Sequence, residues 1–230
     1  MKKIVVLTGA GMSAESGIKT FRDADGLWEG HDIMEVASPI GWERNKNLVL
    51  DFYNSRRAQL LTVVPNLAHK ALVKLELKFD VDIITQNIDD LHERAGSTNV
   101  LHLHGELLKV RSTKNDSLVS NWRKDLNIGD LAKDNTQLRP HIVWFGEDVP
   151  MLDKAIKITE KATILIIIGT SMSVYPAANL INFTKPNTPI YFIDPKPSIN
   201  EKAFKNIAVY AGNASTGVPK VVTELLKEAF

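Results

Sequence analysis

Short apolar runs alternate along the chain with longer amphipathic stretches. Six runs are predicted to be strands: Ile4–Leu7, Val81–Thr85, Val100–His104, His141–Phe145, Thr163–Ile168 and Pro189–Ile193. Approximate helical spacing predicts helices over Trp42–Leu61, Asn66–Phe79, Met151–Lys161, Ala177–Phe183 and Pro219–Ala229. Because the strands are apolar on both faces, the pattern predicts an α/β fold, with a Rossmann-like parallel sheet and helices on both faces.

The stretch Arg111–Arg139 has a different composition, rich in Ser, Asn, Asp and Lys and poor in large apolar residues. We predict a small insertion at about 108–140, packed on the main sheet and held by local contacts of Trp122 and Leu126. A long surface loop is the alternative. A second, helical insertion is expected at about 30–65.

Charge and cysteine content exclude several classes of protein. The 230 residues include 28 Lys and Arg against 27 Asp and Glu, and no Cys. This balance argues against nucleic-acid binding driven by bulk charge, and the lack of Cys excludes disulfides, thiolate catalysis and cysteine-ligated metals. The first apolar run stops at Thr8, too early for a signal peptide, and no run approaches the ~20 residues that span a bilayer. A cytoplasmic, monomeric protein without a membrane partner is expected.

A glycine loop follows the first strand, with Gly9 suited to a tight turn and Gly11 to the approach of a pyrophosphate at a helix N-terminus. A plain strand-to-helix turn is the alternative. A dehydrogenase would continue to a second strand ending in an acidic residue. Here a polar loop follows instead, in which Arg22 could clamp charge and Phe21 or Trp28 could cover a nicotinamide ring. A surface loop with a buried Phe and Trp would look the same.

Five motifs then occur in order. They are GAGxSxxSGIxxFR at Gly9–Arg22, TQNID at Thr85–Asp89, HG at His104–Gly105, the FGE segment at Val143–Glu147 and GTSxxVxPA at Gly169–Ala177. In these motifs the chain resembles the sirtuins, a family of NAD-dependent protein lysine deacylases. The resemblance implies a single sirtuin-type catalytic domain over 1–230, NAD as cofactor and acylated-lysine proteins or peptides as substrates.

The resemblance also implies which residues carry the chemistry. The acyl oxygen of the substrate lysine displaces nicotinamide from the ribose, and a base, His104, then activates a ribose hydroxyl. His102 is the rival base, because in an extended strand it projects to the same face. The cofactor would be bound by Gly9, Ala10, Gly11, Ser13, Glu15, Phe21, Arg22, Trp28, Gln86, Asn87, Ile88, Asp89, Gly169, Thr170, Ser171, Asp194, Pro195, Lys196 and Ala214.

The chain departs from the family pattern in two places. Most sirtuins carry four zinc-binding cysteines between the HG and FGE segments, so their absence here predicts no zinc and a zinc-free insertion subdomain. Asp194-Pro195-Lys196 stands where the family commonly has an Asn-led turn, which leaves the contact with the adenosine ribose open.

The acyl group is suggested by Tyr53 and Arg56, which share one face of a predicted helix. They resemble the Tyr-x-x-Arg pair of class III sirtuins, which prefer succinyl- and malonyl-lysine, and an acyl carboxylate needs such donors. Arg56 or the adjacent Arg57 could instead be solvated, leaving a plain deacetylase. Residues expected at the substrate are Tyr53, Arg56, Val143, Trp144, Phe145, Gly146 and Glu147. Mono-ADP-ribosyl transfer, or NAD sensing without turnover, would use the same NAD-binding motifs.

Overall fold

The computed structural model describes residues 1–19, 27–28, 30–201 and 204–228. Its strands are β1 (Lys3–Thr8), β2 (Leu27–Trp28), β3 (His31–Asp32), β4 (Asp80–Thr85), β5 (Val100–His102), β6 (Gly105–Ser112), β7 (Val119–Asn121), β8 (Leu138–Ile142), β9 (Ile164–Ile168), β10 (Ile190–Asp194) and β11 (Ile207–Ala211). Its α-helices are α1 (Ile33–Val36), α2 (Pro39–Arg44), α3 (Lys46–Thr62), α4 (Leu67–Leu75), α5 (Leu91–Ala95), α6 (Leu152–Thr159) and α7 (Ala214–Glu228). None of these described helices is long and apolar enough to cross a bilayer.

The main sheet contains six parallel strands in the order β11-β10-β9-β1-β4-β5. From β1 the chain adds β4 and then β5 on one side. It then adds β9, β10 and β11 in turn on the other side of β1. The strand order therefore reverses between β1 and β9, and open α/β sheets bind ligands at the carboxyl ends of the strands at such a point. The fold prediction is confirmed.

Both faces of this sheet are covered, since β9 is apolar throughout and β1 is apolar from Ile4 to Leu7. On one face, Ile4 and Val6 pack with residues of α4 and α7. On the other, Val5 and Leu7 pack with α6 and with a 3-10 helix at Ala177–Phe183. This two-sided burial fixes the ends of β1, β4 and β9 relative to one another.

The segment after His104 forms a three-stranded antiparallel sheet, β7-β6-β8. It packs on α3: Asn54 of α3 accepts from the backbone N–H of Leu126 and donates to its carbonyl oxygen. Leu126 is fully buried, and Trp122 is half-buried with its indole N–H on the Asp125 carbonyl. The segment is therefore an ordered insertion and not a surface loop.

Several predicted elements differ from the structure. The strand expected at His141–Phe145 is displaced: β8 ends at Ile142 and lies in the small sheet. The helix expected over Trp42–Leu61 is interrupted where the Asn45 side chain accepts the Leu48 N–H and starts α3. The hydrophobic pattern does not predict strand β11, because it is a partly exposed edge strand in which two of the five residues are alanines.

Candidate functional site

The glycine loop after β1 packs directly on the turn after β9. Gly9 N–H donates to the Ile168 carbonyl at 3.0 Å, and Gly11 N–H donates to the Gly169 carbonyl at 2.9 Å. A Cβ on Gly11 would lie 2.7 Å from the Gly169 Cα, and Gly169 itself has φ +61°. The loop continues as two 3-10 turns, Ala10–Met12 and Ala14–Ser16, so the α-helix predicted after it is absent from this described stretch. Gly11 therefore has no side chain because the two backbone turns pack directly against each other at this position.

Three polar side chains meet beside this contact. Ser13 Oγ donates to Asp89 Oδ2 at 2.8 Å and accepts from Asn87 Nδ2 at 3.2 Å. Asp89 Oδ1 accepts the Leu91 N–H at 3.1 Å. Burial raises the pKa of Asp89, and the bonds from Ser13 and Leu91 oppose that shift only in part. Residues of the first and second motifs thus share one hydrogen-bonded cluster.

Gln86 links this cluster to the fifth motif. Its side-chain amide donates to Thr170 Oγ1 at 3.3 Å, and its backbone N–H donates to the Thr8 carbonyl at 2.9 Å. Thr170 Oγ1 also accepts the Met172 N–H, while the Ser171 carbonyl accepts from Ser198. The ends of β1, β4 and β9 therefore present one continuous polar edge.

His104 follows β5 at this edge. Its Nδ1 lies 3.0 Å from the Gln86 carbonyl oxygen. Because a carbonyl only accepts, Nδ1 carries the proton and the neutral ring keeps a lone pair on Nε2. Burial lowers the pKa of His104, and the bond to Gln86 opposes this only in part. The ring is therefore neutral at pH 7 and able to accept a proton.

His102 is in a different protonation state. Its Nδ1 lies 3.0 Å from the Asn87 carbonyl, and its Nε2 lies 2.7 Å from Glu93 Oε1. Both partners accept, so both nitrogens are protonated. Burial alone would lower the pKa of His102, but the bond and charge of Glu93 outweigh it and raise the pKa. His102 is an imidazolium in an ion pair and has no free base to offer.

The segment after β8 runs beside His104. The Val143 N–H donates to the His104 carbonyl at 2.9 Å, and a Cβ on Gly105 would lie 2.0 Å from the His141 carbonyl oxygen. Glu147, expected at the substrate, is engaged with the protein: its carboxylate accepts from Arg139 at 2.6 Å and from the Trp144 N–H at 2.8 Å. In this segment, Phe145 is exposed and Gly146 has φ +92°.

An aromatic cluster surrounds the Tyr53–Arg56 pair. Tyr53 is fully buried, and its hydroxyl accepts from Trp144 Nε1 at 3.0 Å. The Arg56 guanidinium lies 4.9 Å from the Trp28 ring centroid and 4.4 Å from that of Phe52. Arg56 is only 9% exposed. The structure thus places Trp28, expected at the nicotinamide, with the candidate acyl pair, and a solvated Arg56 is wrong.

Arg57 is also buried. It donates to the Leu107 carbonyl at 3.2 Å, to Asn54 Oδ1 at 2.7 Å and to the Lys124 carbonyl at 3.3 Å. Burial lowers the pKa of Arg57 to about 10. Its role is to connect α3 with the small sheet.

The C-terminal end of the site lies around β10 and α7. Asp194, at the end of β10, accepts the Lys196 N–H at 2.8 Å, and its carbonyl accepts the Gly212 N–H. Glu15 accepts from the backbone N–H of Ser215, one residue after Ala214 at the start of α7. Glu15, Asp194 and Ala214 therefore lie at connected turns, with Pro195 and Lys196 exposed beside them.

Two predicted site residues, Phe21 and Arg22, lie outside the described residues. Within residues 1–19, 27–28, 30–201 and 204–228, no group of three His, Asp or Glu side chains is arranged to hold a metal ion.

Sequence reasoning did not single out Thr8, Thr85 and His92, which lie buried under the site. The signal for the threonines was available, because Thr8 ends an apolar strand just before the first motif and Thr85 is the first residue of the second motif.

Comparison with known proteins agrees with the motifs. The Sir2 family profile matches residues 9–176. A protein from Helicobacter pylori strain 26695 named NAD-dependent protein deacylase is 67% identical over 196 residues, covering 85% of this chain and 86% of its own length. A protein of that name from Bacteroides thetaiotaomicron is 51% identical over 228 residues, covering 96% and 97%.

Solved structures agree as well. The crystal structure of a Sir2 homologue in complex with NAD is 38% identical, with a TM-score of 0.87, and the match covers 100% of this chain and 91% of the other. A Sir2 protein solved bound to an acetylated peptide is 27% identical, with a TM-score of 0.76, covering 98% and 92%. The family profile, these relatives and the shared fold together show that the chain belongs to the Sir2 family.

Proposed function

We propose that this protein is an NAD-dependent protein lysine deacylase. The observation that carries the proposal is the 3.0 Å contact of His104 Nδ1 with the Gln86 carbonyl, which leaves a lone pair on Nε2 at the polar edge formed by Gln86, Asn87 and Asp89. A base of this kind is what activation of a ribose hydroxyl requires. The names of the relatives and the acetylated-peptide complex of a Sir2 protein support the same reaction.

The residues present fit NAD. The paired glycine turns at Gly11 and Gly169 leave backbone without side chains at the switch point of the sheet, where dinucleotides bind. The nicotinamide ribose and carboxamide would be held by Asn87 and Asp89, with Gln86 beside them. The adenosine end would lie toward Asp194 and Ala214. When bound, NAD supplies a nicotinamide–ribose bond whose cleavage makes the ribose carbon reactive toward an acyl oxygen.

His104 would take the proton of a ribose hydroxyl on Nε2. The Gln86 carbonyl fixes the tautomer through Nδ1, so the ring needs no rearrangement before it accepts that proton. Asn87 and Asp89 are held by Ser13, which orients the groups that would contact the ribose. Backbone pairing of Val143 with His104 keeps the base against the segment proposed to bind the substrate peptide.

The second part of the proposal concerns the acyl group, which we expect to be succinyl or malonyl. Arg56 supplies a buried cation, and Tyr53 keeps its own hydroxyl proton for donation because its oxygen accepts from Trp144. The Val143 N–H donates to the His104 carbonyl, and Trp144 is the next residue. The aromatic cluster therefore starts beside the residue that is bonded to the base. A carboxylate at the end of an acyl chain would find a charge-assisted partner there. Pure cation–π packing of Arg56 on Trp28 is the competing explanation.

One assay separates the candidate functions. The purified protein is incubated with NAD and matched acetyl-, succinyl- and malonyl-lysine peptides, and nicotinamide and the peptide products are quantified by mass spectrometry. We expect nicotinamide and deacylated peptide in equal amounts, with O-acyl-ADP-ribose as the co-product. ADP-ribosylated protein without peptide deacylation would favour mono-ADP-ribosyl transfer. Absence of nicotinamide release with any peptide would overturn the proposal.

A further inference from the structure

A chain of buried hydroxyl groups lies directly under Asn87. Thr8 ends β1 and Thr85 ends β4, and the two residues are paired in the parallel register. Both are fully buried, and Thr8 Oγ1 donates to Thr85 Oγ1 at 2.8 Å. Thr85 Oγ1 also accepts the Asn87 N–H at 3.0 Å. The hydroxyl pair therefore holds the backbone of a residue at the site.

His92 of α5 completes this chain from below. Its Nε2 lies 3.1 Å from Thr8 Oγ1, and its side chain is buried. Because the Thr8 proton is directed to Thr85, the Thr8 oxygen can only accept, so His92 Nε2 carries a proton and donates. Burial lowers the pKa of His92 well below its usual value, which keeps the ring neutral in this tautomer. The bonds then run in one direction, from His92 through Thr8 to Thr85.

His69 of α4 offers a matched comparison. It is fully buried, and its ring lies 4.9 Å from that of His92, edge to face. In the part of the chain that the structure describes, neither nitrogen of His69 has a hydrogen-bond partner. His69 therefore packs on His92 without entering the chain of hydroxyl groups.

The bonds continue past Asn87 into the site. The Asn87 side chain donates to Ser13, Ser13 donates to Asp89, and Asp89 accepts the N–H of Leu91, the neighbour of His92. The loop from Thr85 to His92 is thus held at both ends by one network. A shift at the histidine would move the Asn87 backbone and the side chains that it orients.

We propose that His92 is a positioning residue, which acts through the hydroxyl groups of Thr8 and Thr85 to fix Asn87 and Asp89 for the nicotinamide ribose. This inference rests on the proposed function, because it assigns these two residues to NAD. His92 does not itself reach the site. Its contribution is to the geometry with which NAD is bound.

The test compares isosteric variants by NAD affinity and by turnover. Thr8→Val keeps the volume and removes the hydroxyl, Thr8→Ser restores it, and His92→Phe removes the donor while keeping a ring. We expect Thr8→Val and His92→Phe to raise the KM for NAD, and its Kd by calorimetry, about tenfold, which corresponds to about 1.4 kcal/mol. The KM for the acyl peptide should stay within about twofold, and Thr8→Ser should lie close to the unmodified protein.

His69→Phe serves as the control, since it changes packing on His92 without touching the hydroxyl groups. Its KM for NAD should stay within about twofold even where its unfolding midpoint falls. Equal increases in KM for His69→Phe and His92→Phe would overturn the inference, as would an unchanged KM in folded Thr8→Val. If His92→Phe does not fold, the Thr8→Val and Thr8→Ser pair decides. An unmodified protein that shows no NAD-dependent deacylation would instead overturn the proposed function.

Discussion

His102 and His104 donate from Nδ1 to the carbonyl oxygens of neighbouring residues, Asn87 and Gln86, each at 3.0 Å. They differ in what faces Nε2. In His102 it is the carboxylate of Glu93, which makes the ring an imidazolium, while the ring of His104 stays neutral. The last residue of β5, His102, is thus an anchored cation, and His104, two residues later, is an anchored base.

The first prediction follows from this difference. His104→Ala should lower kcat/KM for deacylation by about 10²- to 10⁴-fold, the range expected for loss of a general base. His102→Ala removes an ion pair and a hydrogen bond to the Asn87 carbonyl but no base, and it should cost less than about tenfold. Steady-state kinetics with an acyl peptide and calorimetric NAD binding would measure both. A larger loss for His102→Ala would reverse the assignment of the base.

The second prediction concerns acyl selectivity. Arg56→Met should lower kcat/KM on succinyl-lysine by about 10- to 100-fold, since a hydrogen bond to a charged group contributes roughly 1.5–3 kcal/mol. The effect on acetyl-lysine should be small, because an acetyl group has no carboxylate. Tyr53→Phe should act in the same direction more weakly. Arg44→Met, which removes an exposed cation from α2, is the control. Equal losses on both peptides would mean that Arg56 supports α3 and does not contact the acyl group.

The third prediction separates Arg57 from its neighbour. Arg57→Met would leave the carbonyls of Leu107 and Lys124 without this donor, and we expect the free energy of unfolding to fall by about 1–3 kcal/mol. The ratio of succinyl to acetyl activity should not change. Denaturant unfolding of Arg57→Met beside Arg44→Met would measure the effect. A stable Arg57→Met variant with altered selectivity would contradict it.

The fourth prediction concerns what holds the small sheet. Ser112 is fully buried at the end of β6, and its Oγ donates to Asp134 at 2.7 Å and accepts the N–H groups of Lys114 and Asn115. Ser112→Ala should therefore lower the free energy of unfolding by about 1–3 kcal/mol. A chelator such as EDTA should leave the unfolding midpoint unchanged.

Ser117→Ala is the control for this substitution, since Ser117 is exposed on the same turn. Stoichiometric zinc in the purified protein, or a chelator that lowers the midpoint, would contradict the prediction that no metal joins these loops.

The fifth prediction is a loss of stability in mild acid. Burial lowers the pKa of His69 to about 4, against 6.5 for an ordinary histidine, with Glu93 opposing the shift in part. The unfolded chain therefore binds a proton first, and stability falls as the pH drops from about 6.5 toward 4, by up to about 3 kcal/mol for this group. His92, whose pKa is also lowered and which faces His69 and His102, adds to the same loss.

Unfolding midpoints measured at pH 7.5 and pH 5 would test this. His69→Phe should narrow the difference between the two values, because a phenylalanine cannot be protonated. If the midpoint of His69→Phe falls between pH 7.5 and pH 5 by as much as that of the unmodified protein, the acid sensitivity comes from other groups.

Local patterns are enough to predict the main sheet apart from its edge strand β11. The strands β1, β4, β9 and β10 are recognised as mainly apolar runs of the right length. A strand whose two faces are both buried needs apolar side chains on both, whatever elements cover it. The residues after three of these strands, among them Gly9, Asn87 and Gly169, are expected at one edge because parallel strands share their carboxyl ends. The motifs then identify the family.

The roles of individual side chains needed the tertiary structure, because they depend on partners far away in the sequence. Arg56 and Arg57 are adjacent and chemically identical, yet one lies between aromatic rings and the other on carbonyls that the insertion supplies. Likewise, the state of His102 depends on Glu93, and the chain of hydroxyl groups under Asn87 exists because β1 pairs with β4 in one register. Periodicity along the chain reports how deeply a residue is buried. The direction of a hydrogen bond and the charge of a buried group follow only from which atoms the fold brings within about 3 Å.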